Sequence, residues 1–431
     1  MHERVRAYVG ERMPGLADAR VVLAASGGAD SSAMVALLVE AGIVDPSRAL
    51  AAHFDHRLRS EDASGRDRAC VERLCARYGL ALEAGAWEQP RPTEAAAREA
   101  RYAFLGEVAR RSNAGFVVTG HTSDDQVETV LLHMLRGAGL YGVAAMAAVA
   151  RTPDGAKTPL LARPLLAVSR EETRAYCRAG GIDVSDDESN DDPRYLRNRL
   201  RRHLLPHVTR DERAHLLRLS DEARAATATI EAAVSPIVSR DGEAIVVDRP
   251  RLAELAPELR AYAWRVALVR LLGDAREFDR RHYATLARAH LAATGSQFQL
   301  PRGVVATVDP EAVLLSCGPL RLPAVPADIA LSLPYAGDVG AWRIAVAFDD
   351  AGALRLPSDA VVRGRRPGDR IRPPGMRGHK KLQDYYVDRK VPRRERDAAP
   401  VIAAGAEVLW TPFGAAATAA GAPAAVSAER R

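Results

Sequence analysis

The chain has 431 residues, 47% of them hydrophobic, which is enough for about two or three domains with real cores. No window approaches the roughly 18 consecutive apolar residues of a membrane span, and the charged start MHERVRAYVGERM lacks the apolar stretch of a signal peptide, so neither membrane nor secretion is expected. Cys70, Cys75, Cys177 and Cys317 form no CxxC pair and no zinc spacing, so free thiols in a reducing cytoplasm are expected; the net charge of +6 gains meaning only once localised.

Along the chain, VVLAAS (21–26) reads as a strand and DSSAMVALLVEAG (30–42) as a helix. ALAAHFD (49–55) is a second strand, followed by a helix from Glu61 to Tyr78. LALEAGAW (80–87) is a third strand, and 93–112 is an Ala-rich helix with Thr93 as its N-cap. GFVVTG (115–120) is a fourth strand, leading into GHTSDDQVETVLLHMLRG (120–137), where two aspartates and a glutamate stand at a helix start. Strand–helix alternation at this spacing predicts an α/β fold with a parallel, Rossmann-like sheet and helices on both faces. Ligands of such sheets sit beyond the carboxyl ends of the strands, which places SGGADS, HFDH and GHTSDDQ on one rim.

The stretch 183–192 carries six acids, and 194–202 (RYLRNRLRR) five arginines and no acid. If the latter is helical, Arg194, Arg197 and Arg201 share a side, with Asn198 and Arg199 beside them. From 207 to 320 the pattern is mainly helical, closing on a hairpin at 298–316; 321–334 is a Pro-rich linker, and 335–431 is a small β-rich (α+β) domain ending in an Ala-rich tail expected to fray. Between Arg363 and Arg396 there are 13 Lys or Arg against 4 Asp or Glu, a local net of +9. Such runs are usually solvated faces, but two basic clusters in one enzyme-sized chain point to a polyanion held through phosphates.

Ser26-Gly27-Gly28-Ala29-Asp30-Ser31 is a strand–turn–helix junction whose glycines let backbone N–H groups face an anion at a helix N-terminus. It is neither GxxxxGK[ST] nor GxGxxG, so a Walker ATPase and a dinucleotide fold do not fit. The loop resembles the PP-loop of the N-type ATP pyrophosphatases, which cleave ATP between the α and β phosphates. An acid facing phosphates would otherwise repel them, so Asp30 is the natural contributor to placing Mg²⁺ through the phosphates. With HFDH (53–56), GHTSDDQVETVLLHMLRGAGLYGVAAM, SNDDPRYLRNRLRRHLLP and RRPGDRIRPPGMRGHKKLQDYYVDRKVP, in that order, the chain resembles the tRNA(Ile)-lysidine synthetases. The first 206 residues would then be the catalytic PP-loop domain, and both later parts would bind tRNA.

The resemblance implies a reaction. A wobble cytidine of a CAU-anticodon isoleucine tRNA is adenylated at its C2 oxygen by ATP, with release of pyrophosphate. The ε-amine of free L-lysine then displaces AMP, and decoding changes from AUG to AUA. It further implies that Ser26 to Ser31 cradle pyrophosphate and that His53, Phe54, Asp55 and His56 hold the adenosine, largely through backbone. Arg101, Asp125 and Glu128 would hold lysine, with His121 nearby; Asp30, Asp125 and His121 would be catalytic, and Asp125 or His121 would accept the amine's proton. Asp125 and Glu128, at i, i+3, share a helix face, while Asp124 is expected to cap the helix. Arg194, Arg197, Asn198, Arg199 and Arg201 would touch the anticodon stem, and Arg363, Arg365, Arg366, Arg370, Lys380 and Lys381 phosphates elsewhere. Tyr195, Tyr385 and Tyr386 beside them read as packing before base-stacking. A tRNA thiolase on the same loop is the nearest rival, but many of those need paired cysteines; an amide ligase would not need the basic C-terminal domain, and the intact SGGADS speaks against a silent tRNA-binding protein. Oligomeric state is left open.

Overall fold

In the computed structural model, short apolar strands alternate between two cores. Val21, Leu23, Ala51, Phe116 and Val118 enter one, whereas Val22, Ala52 and Val117 enter the other. This period-2 pattern buries both faces of one sheet, as a parallel sheet requires. The structure describes residues 1–58, 60–91, 93–152, 159–185, 196–275, 277–320, 325, 328–349, 354–416 and 422–430. They form two compact units, Met1–Ala233 with Leu272–Asp274, and Val234–Leu271 with Ala275–Arg431.

The first unit runs α1 (His2–Arg12), β1 (Val21–Ala24), α2 (Ala29–Glu40), β2 (Ala49–Asp55), α3 (Glu61–Tyr78), β3 (Ala81–Ala86), α4 (Glu94–Arg111) and β4 (Phe116–Val118). It continues with α5 (Ser123–Leu135), α6 (Leu140–Val143), β5 (Val149–Arg151), β6 (Leu160–Ala162), α7 (Arg170–Ala179), α8 (Leu196–His203) and α9 (Arg210–Val234). The sheet order is β3-β2-β1-β4-β6-β5, parallel except for β5, which pairs antiparallel with β6 at the edge. Residues of α1, α2, α3 and α7 fill one core, and Tyr102, Leu105, Val108 and Ala109 of α4 the other. The four strands and three helices expected up to residue 118 are present, and Thr93 caps α4 by accepting from Ala96 N at 3.2 Å. Strands β5 and β6 and helix α7 are additions the periodicity did not announce.

The second unit begins with β7 (Val238–Asp241), β8 (Ala244–Asp248), α10 (Arg249–Glu254), α11 (Pro257–Leu272), α12 (Arg280–Ala287), β9 (Gln297–Gln299), β10 (Val304–Val308) and β11 (Ala312–Cys317). The expected hairpin is β10–β11, and it belongs to an antiparallel sheet of order β7-β8-β11-β10-β9, so the mainly helical middle also carries a sheet. Of the expected linker, residues 321–324 and 326–327 lie outside the described residues, while Ile329–Ala330 forms the edge strand β12.

Then follow β13 (Tyr335–Val339), β14 (Trp342–Phe348), β15 (Leu354–Leu356), β16 (Val361–Gly364), β17 (Arg370–Ile371), β18 (Lys380–Lys381), α13 (Leu382–Asp388) and α14 (Arg393–Ala398). The chain ends with β19 (Pro400–Ala404), β20 (Glu407–Thr411), β21 (Gly414–Ala415) and β22 (Ala422–Arg430). A sheet β12-β16-β19-β20-β17-β18 packs one face on the sheet β13-β14-β22-β15 and the other on α13, so Ile402 enters one core and its neighbours Val401 and Ala403 the other. The tail expected to fray is instead β22, paired with both β14 and β15. Ala424 is buried and Val426 and Ala428 pack on that core, while Ala425, Ser427 and Glu429 face out; the alternation, hidden by its small side chains, makes a strand. Residues 417–421 and 431 lie outside the description. Among the described residues no helix is long and apolar enough to cross a membrane.

Candidate active site

The Gly-Gly turn after β1 leads directly into α2. Gly27 has φ of +90°, and a Cβ there would stand 2.7 Å from the Asp67 carbonyl oxygen, so only glycine fits. The Ser31 hydroxyl lies 3.0 Å from that of Ser26, accepts from Ser26 N at 3.1 Å and donates to Gly28 O at 3.0 Å. These bonds fix the loop at the N-terminus of a helix, where backbone donors and the helix dipole favour an anion. His53 is buried and its Nδ1 lies 3.0 Å from Ala25 O, so it braces the loop.

Beyond β2, Phe54 stacks on Phe104 at 5.2 Å and meets the edge of His56, which in turn meets Trp87. Asp55 accepts from Arg57 N at 2.8 Å and Ser64 Oγ at 3.0 Å, shaping the turn. Beside these residues a cleft of about 600 Å³ opens between the ends of β2 and β3 and the start of α3, with His53, Asp55, Ser64 and Gly85 in its wall.

The acidic turn meets this loop through Gly120. A Cβ there would lie 2.8 Å from Asp30 O and 3.0 Å from Ser31 Cα, so the absence of a side chain sets the approach of the two motifs. Helix α5 is capped by Thr122, not by Asp124: Thr122 N and Oγ1 donate to Asp125 Oδ2 at 2.9 and 3.0 Å, a reciprocal cap three residues on. Asp124 instead accepts from Arg170 N and Arg213 Nη1, both at 2.8 Å. The expected cap lost because a threonine stood two positions earlier.

Asp125 and Glu128 are buried on one face of α5, and guanidinium groups engage both. Arg170 pairs with Asp125, and Arg197 and Arg201 pair with Glu128, the latter at 2.8 Å. Burial would raise the pKa of Asp125, but the Arg170 charge and the Thr122 donors outweigh it and hold it below the usual range. Asp30 goes the other way: burial raises it more than the hydrogen bond from Thr173 Oγ1, 2.5 Å away, and the Arg170 charge lower it. His121, 2.8 Å from Thr119 Oγ1, is pushed down to about 3 by burial and then by the Arg163 charge, so its imidazole is neutral. Arg101 lies over Tyr102 at 5.2 Å; it and Asp125 are both electrostatic neighbours of His121, so these expected residues are brought together.

Arg170, Thr173, Arg163 and Arg213 were missed. The signal for the first two was Ser169-x-x-Glu172, a capping box starting α7: Ser169 N donates to Glu172 Oε2 at 2.8 Å. Arg197 and Arg201, expected on tRNA phosphates, turn their guanidiniums to Glu128; Asn198 is partly buried and Arg199 exposed, while Arg194 and Tyr195 lie outside the described residues.

The basic patch of the second unit is also sorted. Arg363, expected on RNA, is buried: it makes two bonds to Asp369, at 2.8 and 2.9 Å, and donates to Gly405 O. It is a structural ion pair and leaves the RNA-facing set. Arg365 pairs with Asp397, Arg366 with Asp328 and Lys380 with Asp388, whereas Arg370 and Lys381 face each other, exposed, across β17 and β18. Tyr385 and Tyr386 are core residues. Among the described residues no group of three or more His, Cys, Asp or Glu could hold a metal ion, and Cys70, Cys75 and Cys177 are buried free thiols.

Comparison with known proteins identifies the family. The PP-loop domain family matches residues 1–208, and the TilS substrate C-terminal domain family matches residues 360–426. The chain is 31% identical to the tRNA(Ile)-lysidine synthase of Dehalococcoides mccartyi, over 95% of this chain and 93% of that one. It is 35% identical to that of Symbiobacterium thermophilum, over 95% and 92%, and 32% identical to that of Geobacter sulfurreducens, over 95% and 91%. At 31 to 35% identity over 95% of its length, the chain belongs to the tRNA(Ile)-lysidine synthase family.

Proposed function

We propose that the chain ligates L-lysine to C2 of the wobble cytidine of a CAU-anticodon isoleucine tRNA, consuming ATP and releasing pyrophosphate and AMP. The observation that carries this reading is the contact of Gly120 with Asp30, which sets a phosphate-binding loop beside buried carboxylates already engaged by cations. Ser26, Ser31 and the first amides of α2 grip the pyrophosphate as it leaves, and the cleft at His53–His56 takes the adenosine. With no multi-residue metal cluster among the described residues, Mg²⁺ would be held chiefly by phosphate oxygens, with Asp30 as its protein carboxylate. When bound it offsets negative charge on the phosphates.

The lysine site follows from charge. Asp125 and Glu128 accept guanidiniums in this structure, and an ammonium is the same kind of partner. Arg101 is the cation for the carboxylate of lysine. The attacking amine must lose a proton; Asp125 and His121 are the candidate acceptors, and the burial and Arg163 charge that keep His121 neutral also make it a weak base. Arg199, Arg370 and Lys381 are exposed cations for tRNA phosphates, with the middle and C-terminal segments as the tRNA-binding parts. The reaction belongs to the cytoplasm, where tRNA, lysine and ATP meet. Incubation with ATP, labelled lysine and CAU-anticodon transcripts tests the reading: label should enter isoleucine tRNA only when ATP is present. Labelling without ATP, or none under any condition, would refute it.

A further inference from the structure

Arg170 is the first residue of α7, and its root is fixed, because its backbone N–H donates to Asp124 Oδ2 at 2.8 Å. Its head reaches two carboxylates from different motifs: Nε stands 3.3 Å from Asp30 Oδ2, and Nη2 bonds Asp125 Oδ1. Each carboxylate keeps other donors, Thr173 Oγ1 on Asp30 and Thr122 N and Oγ1 on Asp125, so neither depends on Arg170 for its position. The side chain is 30% exposed and, among the described residues, its head is held by these ion pairs, so it can exchange partners while its backbone stays.

The site described above assigns these two carboxylates to different substrates, Asp30 to the phosphate end of ATP and Asp125 to an amine of lysine. One cation therefore bridges two subsites and, with Arg201 Nη2 farther off at 3.7 Å from the same oxygen, fills the amine position at the second. A triphosphate is a better partner for a guanidinium than a carboxylate already served by two other donors, since it offers more charge and forked acceptor oxygens. We propose that Arg170 is a positioning residue that couples the subsites: without nucleotide it occupies the cation place at Asp125, and a triphosphate beside Asp30 draws it away and opens that place to lysine. The coupling rests on the lysine reading of Asp125. Linkage makes it reciprocal, so lysine tightens nucleotide by the same factor. An arginine that blocks the place in about nine molecules of ten weakens lysine about tenfold.

The test is calorimetric titration of L-lysine into the full chain, with and without Mg²⁺ and α,β-methylene ATP, whose α–β bond cannot be cleaved. The wild-type Kd for lysine should tighten about tenfold with the analogue. In Arg170→Gln the nucleotide-free Kd should already be tight, and the ratio should approach one. In Asp30→Asn, which keeps Arg170 on Asp125, nucleotide-free lysine binding should be no tighter than in wild type. A merely structural Arg170 would weaken lysine in both conditions and leave the ratio unchanged, which would overturn the proposal, as would a wild-type ratio near one. Should Arg170→Gln fail to fold, Arg170→Lys, which keeps the charge and loses the fork, is expected to give an intermediate ratio; the full wild-type ratio there would overturn the proposal. Lysine that binds wild type in neither condition would refute the lysine reading itself, and the coupling with it.

Discussion

Gly120→Ala isolates the contact on which the site depends. The added Cβ would stand 2.8 Å from the Asp30 carbonyl oxygen, 2.9 Å from its carbonyl carbon and 3.0 Å from Ser31 Cα. All three are backbone atoms, so no side chain can rotate away, and restoring ordinary contact needs a shift of about 0.5 Å. Overpacking of this kind costs about 1–3 kcal/mol, which lowers Tm by several degrees. The catalytic consequence is larger than the stability change suggests. A misplacement of ~1 Å can lose ~10²-fold in rate, so half of it should reduce pyrophosphate release about tenfold. Gly10→Ala is the matched control: it sits inside α1 with no heavy atom within 4 Å of the new Cβ, and helix propensity predicts a gain of about 0.5–1 kcal/mol. Tm by thermal melt and tRNA-dependent pyrophosphate release read the two effects separately. A Gly120→Ala protein with wild-type values of both would refute the close approach of the two motifs.

Two arginines of the C-terminal patch should behave oppositely to what their shared charge suggests. Arg363→Ala leaves Asp369 buried and unpaired, which should cost about 3–5 kcal/mol in denaturant unfolding; a loss below about 1 kcal/mol would contradict its structural role. Neutralising exposed Arg370 and Lys381 should leave stability within about 0.5 kcal/mol. It should also weaken tRNA binding and flatten the log–log salt slope by about one to two; an unchanged slope would remove them from the interface. His121 supplies a pH test. Its folded pKa of about 3 lies below the unfolded value, so only the unfolded chain takes up this proton. Stability is then lost as pH falls from about 6.5 towards 3, and by about 1 kcal/mol between about pH 7.5 and about pH 5.5. In His121→Gln this loss should shrink by that amount; an unaltered loss in urea titrations would show that His121 does not resist protonation.

The catalytic fold was legible because its signals are local. Strand alternation, the glycine turn and Thr93 each act within a few residues, and β1 to β4 follow them closely. The Asp125–Glu128 pair was legible as a face for the same reason. What escaped depends on distance or degeneracy. Arg170 lies 45 residues from Asp125 and 140 from Asp30, and nothing local in an arginine says which acid it will meet. Arg363 sits among exposed arginines of identical chemistry, and only its pairing with Asp369 in the folded sheet tells it apart. β22 escaped because alanine is both a strand filler and a low-complexity residue, and its partners β14 and β15 supply the difference.

The most direct test of the central claim is the fate of both labels in one reaction. With ATP labelled in the α phosphate, L-lysine labelled in carbon and the CAU-anticodon isoleucine transcript, the chain is expected to release one AMP and one pyrophosphate per lysine bound. Nuclease digestion should return the carbon label in a single modified wobble cytidine. Release of ADP, or label on any other nucleotide, would contradict the account.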